Sequence, residues 1–311
     1  MKKFSLLILS VLLLSCSKDA EPIKYTLTTS ISPADSGTIN PNGGTVDEGQ
    51  QISVTAAPAA EYVFDKWTGA ASGSNKTVSV TMDSDKSVTA NFVKKKYALT
   101  TSVEGEGTID EKVIKTGATD YNSGTIVELT ATAKAGWKFK EWTGDLTGTE
   151  NPKEITIDKA KTVKAIFESV PAFYLDANGV TIKARDWVTA GTVGELNGVT
   201  YTAIGDWQVL ANMAREGKDV TKLVTTLITR LITMSLLNSG GYFNQDISTW
   251  DTSNVIQMAN TFQGNHNFNQ DISNWDVGKV TNMKSMFESA WNFNQDIGAW
   301  DVSNVTNMST M

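Results

Sequence analysis

Cysteine and histidine are almost absent from this chain of 311 residues, in which Cys16 and His266 are the only ones. A single cysteine cannot form a disulfide within the chain, and the two residues together are too few for a zinc site of cysteine and histidine ligands. Stability must therefore come from packing, and we expect neither a metal nor a cofactor.

An excess of basic residues is also missing. The chain has 27 lysine and arginine residues against 34 aspartate and glutamate residues, which gives a formal net charge of −7. Nucleic-acid binding selects a basic surface that neutralises phosphates. The lysine run at 94–96 is short and is better interpreted as a solvated linker. We therefore expect no nucleic-acid partner.

Motifs that carry catalysis are missing too. The sequence contains no nucleophile elbow, no phosphate-binding loop and no cluster of metal ligands, and His266 lies in a short Gly-Asn-His-Asn loop. A hydrolase that used carboxylates alone would carry no such motif, but the acidic residues that recur in this chain follow its repeats. We expect that the protein is not an enzyme.

The N-terminus has the pattern of a secretory signal over residues 1–15. Lys2 and Lys3 precede an apolar run at 4–14, and a small residue follows this run. The run is far shorter than the ~20 residues that a membrane-spanning helix needs. The pattern therefore indicates export rather than a transmembrane segment.

The only cysteine follows this signal at once. Leu13-Leu14-Ser15-Cys16 resembles the bacterial lipobox, which implies lipidation of Cys16, a linker at 16–24 and the membrane as a partner through the lipid anchor. The acidic stretch 17–21 loosely resembles export signals for the outer face of the outer membrane. We therefore expect an outer-membrane lipoprotein that is exposed at the cell surface.

Residues 25–95 and 96–169 contain two copies of one unit. Both copies have a leading Tyr-x-Leu, a Gly-Thr-Ile, a Phe-x-x-Trp-Thr-Gly and a closing Ala-x-Phe. Their short segments alternate polar with apolar residues, are rich in Thr and Val, and are separated by Gly, Asn and Asp. This pattern predicts strands joined by turns.

The tryptophans of this unit, Trp67 and Trp142, admit two interpretations. A tryptophan beside a glycine-containing turn could be a stacking platform for a sugar, so both are candidate ligand-stacking residues. A unit of about 70 residues, however, needs large apolar side chains to fill its core. The core interpretation is therefore favoured.

The combined motifs of residues 25–168 resemble the divergent internalin B-repeat family of bacterial surface proteins. The resemblance implies a compact, β-grasp-like or related β module that serves as a spacer or an adhesive unit. It brings no catalytic residues.

A different repeat, of 25 residues, begins at Phe243. The sequence Phe-Asn-Gln-Asp-Ile starts at Phe243, Phe268 and Phe293. The same 25-residue step separates three tryptophans (Trp250, Trp275 and Trp300), three valines (Val255, Val280 and Val305) and three methionines (Met258, Met283 and Met308). Such a period is typical of leucine-rich-repeat solenoids, in which each turn buries its apolar face only against its neighbours. The pattern predicts a short strand at 275–277 and a helical return arm at 283–290.

Polar residues of this repeat are expected to line up in two sets of columns. The columns are Asn244, Asn269 and Asn294, paired through their amides, and Asp246, Asp271 and Asp296, in equivalent turns. A catalytic carboxylate is needed once, in one pocket, and the glycine-rich nonapeptide of calcium-binding β-rolls is absent. We therefore interpret the aspartates as structural.

Residues 243–311 closely resemble the BspA-like leucine-rich-repeat surface lipoproteins, through Phe-Asn-Gln-Asp-Ile-x-x-Trp-Asp and Val-Thr-Asn-Met-x-x-Met-Phe. The preceding region, 172–242, resembles the lead-in of that family and caps the repeats. Within it, Asp206 can cap a helix that runs to about Arg215. We place a degenerate first turn at 226–237 and interpret the last turn, which stops at Met311, as truncated.

These patterns predict a mainly β fold with some α, in which two small β-rich modules precede a leucine-rich-repeat-like solenoid of 25-residue turns. The expected function is adhesion or protein binding by a non-catalytic, lipid-anchored bacterial surface protein. The alternative is the binding of a glycan or polysaccharide, on which surface tryptophans could stack. The expected partner is therefore an extracellular protein or glycan.

Overall fold

The structure is a computed structural model, and it describes residues 21–115, 121–233 and 243–311. Cys16 and the predicted signal lie outside these residues. The described residues form two compact units, one with residues up to 101, 111–129 and 152–163, and the other with residues 102–110, 130–151 and 164–311.

The first module consists of seven strands in two sheets. The strands are β1 (Lys24–Ser32), β2 (Gly37–Asn40), β3 (Gly44–Asp47), β4 (Gln51–Pro58), β5 (Tyr62–Gly69), β6 (Thr77–Thr81) and β7 (Lys86–Lys94). Their orders are β3-β1-β7-β5 and β2-β4-β6. The pair β1–β7 is parallel, and β5 lies antiparallel on the other side of β7.

The alternation of the sequence explains the core of this module. Successive side chains of a strand point to opposite faces, so every second residue can be buried. In β7 these residues are Val88, Ala90 and Phe92, which join Leu27 and Trp67 in one apolar cluster. Burial of this face is the main favourable contribution to folding.

The second module repeats this arrangement. Its strands are β8 (Leu99–Glu104), β9 (Gly107–Lys115), β10 (Thr125–Ala133), β11 (Trp137–Gly144), β12 (Lys153–Ile157) and β13 (Lys161–Ser169). They are ordered β12-β10-β9 and β11-β13-β8. Val163, Ala165 and Phe167 are buried along β13, at positions equivalent to those of β7.

The shared Gly-Thr-Ile motif has a steric reason. A Cβ atom on Gly37 would lie 2.6 Å from the ring of Phe92 and 2.6 Å from the carbonyl oxygen of Ala57. In the second module, Gly107 faces the ring of Phe167 at similarly close range. Only glycine leaves room for the closing phenylalanine in each module.

The β-grasp-like topology that the family resemblance implies is not observed. A β-grasp sheet packs against a helix, and no helix occurs in the described residues between 21 and 206. Each module therefore buries its apolar residues between strands alone.

The segment that follows is also largely β. It contains β14 (Phe173–Leu175), β15 (Ile182–Ala184), β16 (Val193–Leu196), β17 (Val199–Ala203), α1 (Trp207–Arg215) and β18 (Leu223–Val224). The helix has the predicted bounds. Its start is fixed by the side chain of Asp206, which caps it by accepting the N–H of Gln208 at 2.8 Å. Strand β18 pairs in parallel with β17.

From residue 243 onward the chain forms turns and single bridges, and the predicted strand at 275–277 and helical return arm at 283–290 are wrong. The backbone φ of Ser285 is 54°, and Asn260 and Thr310, one copy before and after it, have φ of 59° and 55°. A right-handed helix needs φ near about −63°. A left-handed residue in every copy therefore interrupts any helix.

The predicted fold class is accordingly wrong. Among the described residues the only helix is α1, with nine residues, and the rest of the regular structure is several small β-sheets. The regular structure of the described residues is therefore nearly all β, and these residues do not show the leucine-rich-repeat solenoid expected from the 25-residue period.

Candidate ligand-binding surface

Successive 25-residue copies are joined by backbone hydrogen bonds at alternate residues. The N–H groups of Met258, Asn260 and Phe262 donate to the carbonyl oxygens of residues 282, 284 and 286 at 2.9, 2.8 and 2.9 Å. The next copy repeats the bonds, since Met283 donates to residue 307 at 2.8 Å and Ser285 to residue 309 at 2.9 Å. These bonds hold equivalent residues beside one another.

The repeated aromatic residues form the interior of this region. The rings of Trp250 and Trp275 are stacked with centroids 6.4 Å apart and an angle of 7° between their planes. The indole N–H of Trp275 donates to the carbonyl oxygen of Ile247, and that of Trp300 donates to Ile272, both at 3.2 Å. The tryptophans of the repeat therefore serve the core.

The asparagines line up, but they are joined differently from the amide pairs that we predicted. Oδ1 of Asn244 accepts the backbone N–H of Asn269 and the side-chain Nε2 of Gln270, each at 3.0 Å. Oδ1 of Asn269 accepts the same two groups from Asn294 and Gln295, at 2.9 and 3.0 Å. Each asparagine thus fixes the backbone of the following copy.

The recurring aspartates lie in equivalent turns, as predicted. Asp246, Asp271 and Asp296 each accept the backbone N–H of the residue two positions later, at 3.0, 2.9 and 2.9 Å. Hydrogen bonds from the side chain and backbone of Ser273 lower the pKa of Asp271 below its ordinary value. These carboxylates therefore act as hydrogen-bond acceptors in the backbone turns.

An additional copy lies earlier in the chain, over residues 219–231. The N–H of Leu231 donates to the carbonyl oxygen of Gln257 at 2.9 Å, as the N–H of Met258 does to Asn282. The indole N–H of Trp250 donates to the carbonyl oxygen of Val220 at 3.2 Å, as that of Trp275 does to Ile247. The degenerate first turn that we placed at 226–237 overlaps this copy at 226–231, and its residues 234–237 lie outside the described residues.

One aromatic pair of the repeat region is on the surface. The side chain of Trp291 is 75% exposed, and its ring is stacked on that of His266 with centroids 3.9 Å apart and planes 10° apart. The backbone N–H of Asn292 donates to the carbonyl oxygen of His266 at 3.2 Å. His266 and Trp291 are 25 residues apart and occupy the same position of successive copies. This position, unlike the repeated ones, therefore holds a different residue in each of the two copies.

The two tryptophans that we singled out from the sequence are in the core. Trp67 and Trp142 are 2% and 1% exposed, and their indole N–H groups donate to the carbonyl oxygens of Asn75 and Glu150, both at 2.9 Å. Indoles buried to this extent present no face to a sugar ring. The other predicted site residue, Cys16, lies outside the described residues.

A shallow groove adjoins the start of α1. It encloses about 510 Å³ and is lined mainly by apolar groups, including Ala190, Ile204, Val209, Met213 and Leu223. Its polar groups are few, so it offers little to fix the orientation of a small ligand.

Among the described residues, no helix combines the length and apolar character that crossing a membrane requires. The same residues contain no group of three or more histidine, cysteine, aspartate or glutamate side chains that could hold a metal ion.

Three regions of the chain match family models. Residues 27–96 and 97–171 each match the family described as divergent InlB B-repeat domain. Residues 207–311 match the family described as Mycoplasma protein of unknown function, DUF285. The predicted resemblance to internalin B-repeats is thereby confirmed for both modules. No curated protein and no solved structure matches the chain.

Proposed function

We propose that the protein is a non-catalytic adhesin of the bacterial cell surface, anchored through a lipid on Cys16. In this proposal the two N-terminal modules are spacers, and the C-terminal region that begins at residue 207 contacts the extracellular ligand. The adhesin binds and does not convert its ligand.

The main support for this proposal is that repeated and unrepeated side chains of the 25-residue copies have different roles. The repeated side chains are used for internal contacts, such as the Trp250–Trp275 stack and the bonds to Oδ1 of Asn269. The exposed position 291 is not repeated, and it carries a large aromatic side chain. Ligand specificity can therefore reside in exposed residues that the copies do not need for stability.

The structural role of the repeated side chains also supports a function without catalysis. A catalytic carboxylate acts in one asymmetric pocket and is activated by its surroundings. Asp246 and Asp271 instead make the same turn in successive copies. The hydrogen bonds from Ser273 lower the pKa of Asp271 and favour its ionised form, which is suited to a structural acceptor.

The anchor is tested by metabolic labelling of cells with a radioactive fatty acid. Wild-type protein should incorporate the label and be degraded by protease added to intact cells, whereas Cys16→Ala should not be labelled. Cys16→Ala should also be released from the membrane, because one lipidated residue provides the attachment. Labelling of the variant, or protection of the wild type from protease, would overturn the anchor or the surface location.

Adhesion is tested with the same cells on immobilised collagen, laminin and mucin. Cells that express the wild type should be retained on at least one of these surfaces, and cells that express Cys16→Ala should not. Equal retention of cells with and without the protein on all three surfaces would contradict an adhesin.

A further inference from the structure

We propose that the apolar groove beside α1 is a docking site for a basic segment of an extracellular protein, which inserts one large apolar side chain into it. This inference rests on the proposed function, because it names a contact surface of the adhesin and the chemistry of its partner. The groove is lined by residues of α1 and of the strands β17 and β18, and its apolar lining includes Ile204, Val209, Met213 and Leu223.

The first argument is a second apolar stripe on α1. The helix packs on the core through Leu210, Ala211 and Ala214, which are buried. Val209 and Met213 are four residues apart, so they lie one above the other on a different side of the helix. Both line the groove, and Val209 is 48% exposed. A surface helix normally has polar residues outside its packed side, so this stripe indicates a contact with another molecule.

The second argument is that the apolar surface continues onto the sheet beside the helix. Val193, Thr202 and Leu223 lie opposite one another in a row across β16, β17 and β18. Residues that lie opposite one another in neighbouring strands have their side chains on the same face. Thr202 and Leu223 line the groove, and Val193, at the edge of the row, is 61% exposed. Val193 therefore extends the apolar surface of the groove to the edge of the sheet.

The third argument is the size and composition of the groove. Its volume of about 510 Å³ is sufficient for a large apolar side chain. The few polar groups of its lining cannot orient a small ligand, but the side chain of a partner protein is oriented by the rest of that protein. Protein interfaces have an apolar centre and a polar rim. Large side chains that fill a pocket at such a centre contribute most of the binding energy.

The fourth argument is the charge of the rim. Asp206 lines the groove and is exposed. Glu195 is two residues from Val193 along β16, so its side chain lies on the same face of the sheet, and it is exposed as well. Two carboxylates therefore adjoin the apolar surface, and they favour a partner with lysine or arginine beside its apolar side chain.

The basic side chains near α1 have other partners. Nζ of Lys218 is 2.7 Å from the carboxylate of Glu216, and Nε of Arg215 donates to a backbone carbonyl of α1 at 3.0 Å. Lys222 interacts electrostatically with the carboxylate of Asp219. The formal net charge of the whole chain is −7, which also attracts a basic partner over longer distances.

The test uses the full chain, purified in a neutral detergent, and synthetic peptides of nine residues. The probe peptide has one tryptophan between two pairs of lysines, and two matched peptides replace the tryptophan by alanine or the lysines by glutamates. Binding is followed through the NMR signal of the Met213 methyl group, which is assigned with Met213→Leu. The probe peptide should shift this signal saturably, and each matched peptide should have a Kd at least about tenfold higher.

Variants of the groove should weaken binding of the probe peptide. Val209→Ala should raise the Kd at least about threefold, because two methyl groups of the contact are lost. Glu195→Gln combined with Asp206→Asn should raise the Kd at low ionic strength, and added salt should reduce this difference. Asparagine is as good a helix cap as aspartate, so the second variant keeps α1.

The matched control is Ile256→Ala, which removes an apolar side chain of similar exposure, 43%, outside the groove. It should leave the Kd unchanged, and all variants should unfold at the wild-type temperature. Absence of a saturable shift would overturn the proposal, as would equal affinity for the three peptides. A purified chain that is dimeric in ultracentrifugation and becomes monomeric in Val209→Asp would also overturn it, because the occupant of the groove would then be a second copy.

The adhesion assay separates a failure of this inference from a failure of the proposed function. If cells with the wild type and cells with Val209→Asp are retained equally on collagen, laminin or mucin, the groove is not the contact surface and the adhesin stands. If the purified chain binds the probe peptide while wild-type cells are retained on none of these surfaces, the groove stands as a site for basic segments and the adhesion is wrong.

Discussion

The indole N–H of Trp67 donates to the backbone carbonyl oxygen of Asn75 at 2.9 Å, across the loop that follows β5. Trp142 makes the equivalent bond to Glu150 at the same distance in the second module. In both modules the large ring fills the core while its only polar atom fastens a loop. The spacing that the two modules share thus serves packing and hydrogen bonding together.

Replacement of Trp67 by alanine should strongly destabilise the first module. The substitution leaves a cavity and an unpaired carbonyl, and comparable changes cost about 3–5 kcal/mol in the free energy of unfolding. Denaturant unfolding followed by circular dichroism measures the loss. Trp291→Ala is the matched control, because a substitution at its exposed position should change the free energy by less than about 0.5 kcal/mol. Similar losses in both variants would contradict the assignment of Trp67 to the core.

Gly37→Ala should destabilise the first module by about 1–3 kcal/mol, since the new methyl group would collide with the ring of Phe92 and the carbonyl of Ala57. The shift of the unfolding midpoint in urea measures this cost. Thr38→Ala, at the next and exposed position of β2, is the control and should shift the midpoint little. A neutral Gly37→Ala would show that the phenylalanine has room to move.

Asn269→Ala should lower the stability of the repeat region by about 1 kcal/mol, because Asn294 and Gln295 lose the acceptor of their hydrogen bonds. Amide hydrogen exchange should show faster exchange at Asn294. Asn269→Asp keeps an oxygen in the same place and should protect that amide. Equal exchange rates in wild type and Asn269→Ala would contradict the column of bonds.

Tyr121 should titrate above the ordinary range of a tyrosine. Burial, together with its hydrogen bond to Glu111, raises the pKa of Tyr121 from 10.0 to about 12. The folded state therefore favours the protonated phenol, and this contribution to stability is present below pH 10 and is lost as the pH rises to about 12. Ultraviolet titration of the seven tyrosines should show a late component, which Tyr121→Phe reduces and Glu111→Gln shifts to lower pH. Burial and Glu61 also raise the pKa of Tyr97, so part of the late component should remain in Tyr121→Phe.

Sequence patterns were sufficient for the parts of the fold that depend on alternation and period. The alternating segments of the modules became strands, and Asp206 capped the helix because a side-chain acceptor precedes a helical stretch. The columns of Trp250 and Trp275 also followed from the 25-residue step. In each case one local rule determined the outcome.

The helix predicted at 283–290 failed because apolar spacing does not report backbone dihedral angles. The identity of Ser285 does not indicate its φ of 54°. Its backbone N–H donates to a carbonyl of the next copy and not to one within a helix. The helix-like spacing of the apolar residues at 283–290 therefore reflects the turns of the repeat and not a helix. Contacts between copies decided the local conformation.

The start of the copy at 219–231 was missed because its aromatic and methionine positions hold Leu223 and Leu231. A weaker signal was available, since apolar residues follow Asp219 at the same intervals at which they follow Asp246. The step from this copy to the next is 27 residues rather than 25, so a search for the 25-residue period does not find it.

The stacked pair of His266 and Trp291 could not be identified from the sequence. Trp291 lies in the same 25-residue pattern as buried aromatics, and only the structure shows its ring on that of His266. Trp67 and Trp142 stood out more because their motif is repeated. Repetition was a sign of structural use, and the unrepeated residue was the accessible one.

The bonds between copies also bear on how this region can change its length. Asn244 holds the backbone of Asn269, and Asn269 holds that of Asn294, by the same pair of hydrogen bonds. A gene that gained or lost one whole copy by recombination would recreate these bonds at the new junction. Gain or loss of a single residue would displace every column at once. Such a protein can therefore be lengthened by whole copies without other changes to its sequence.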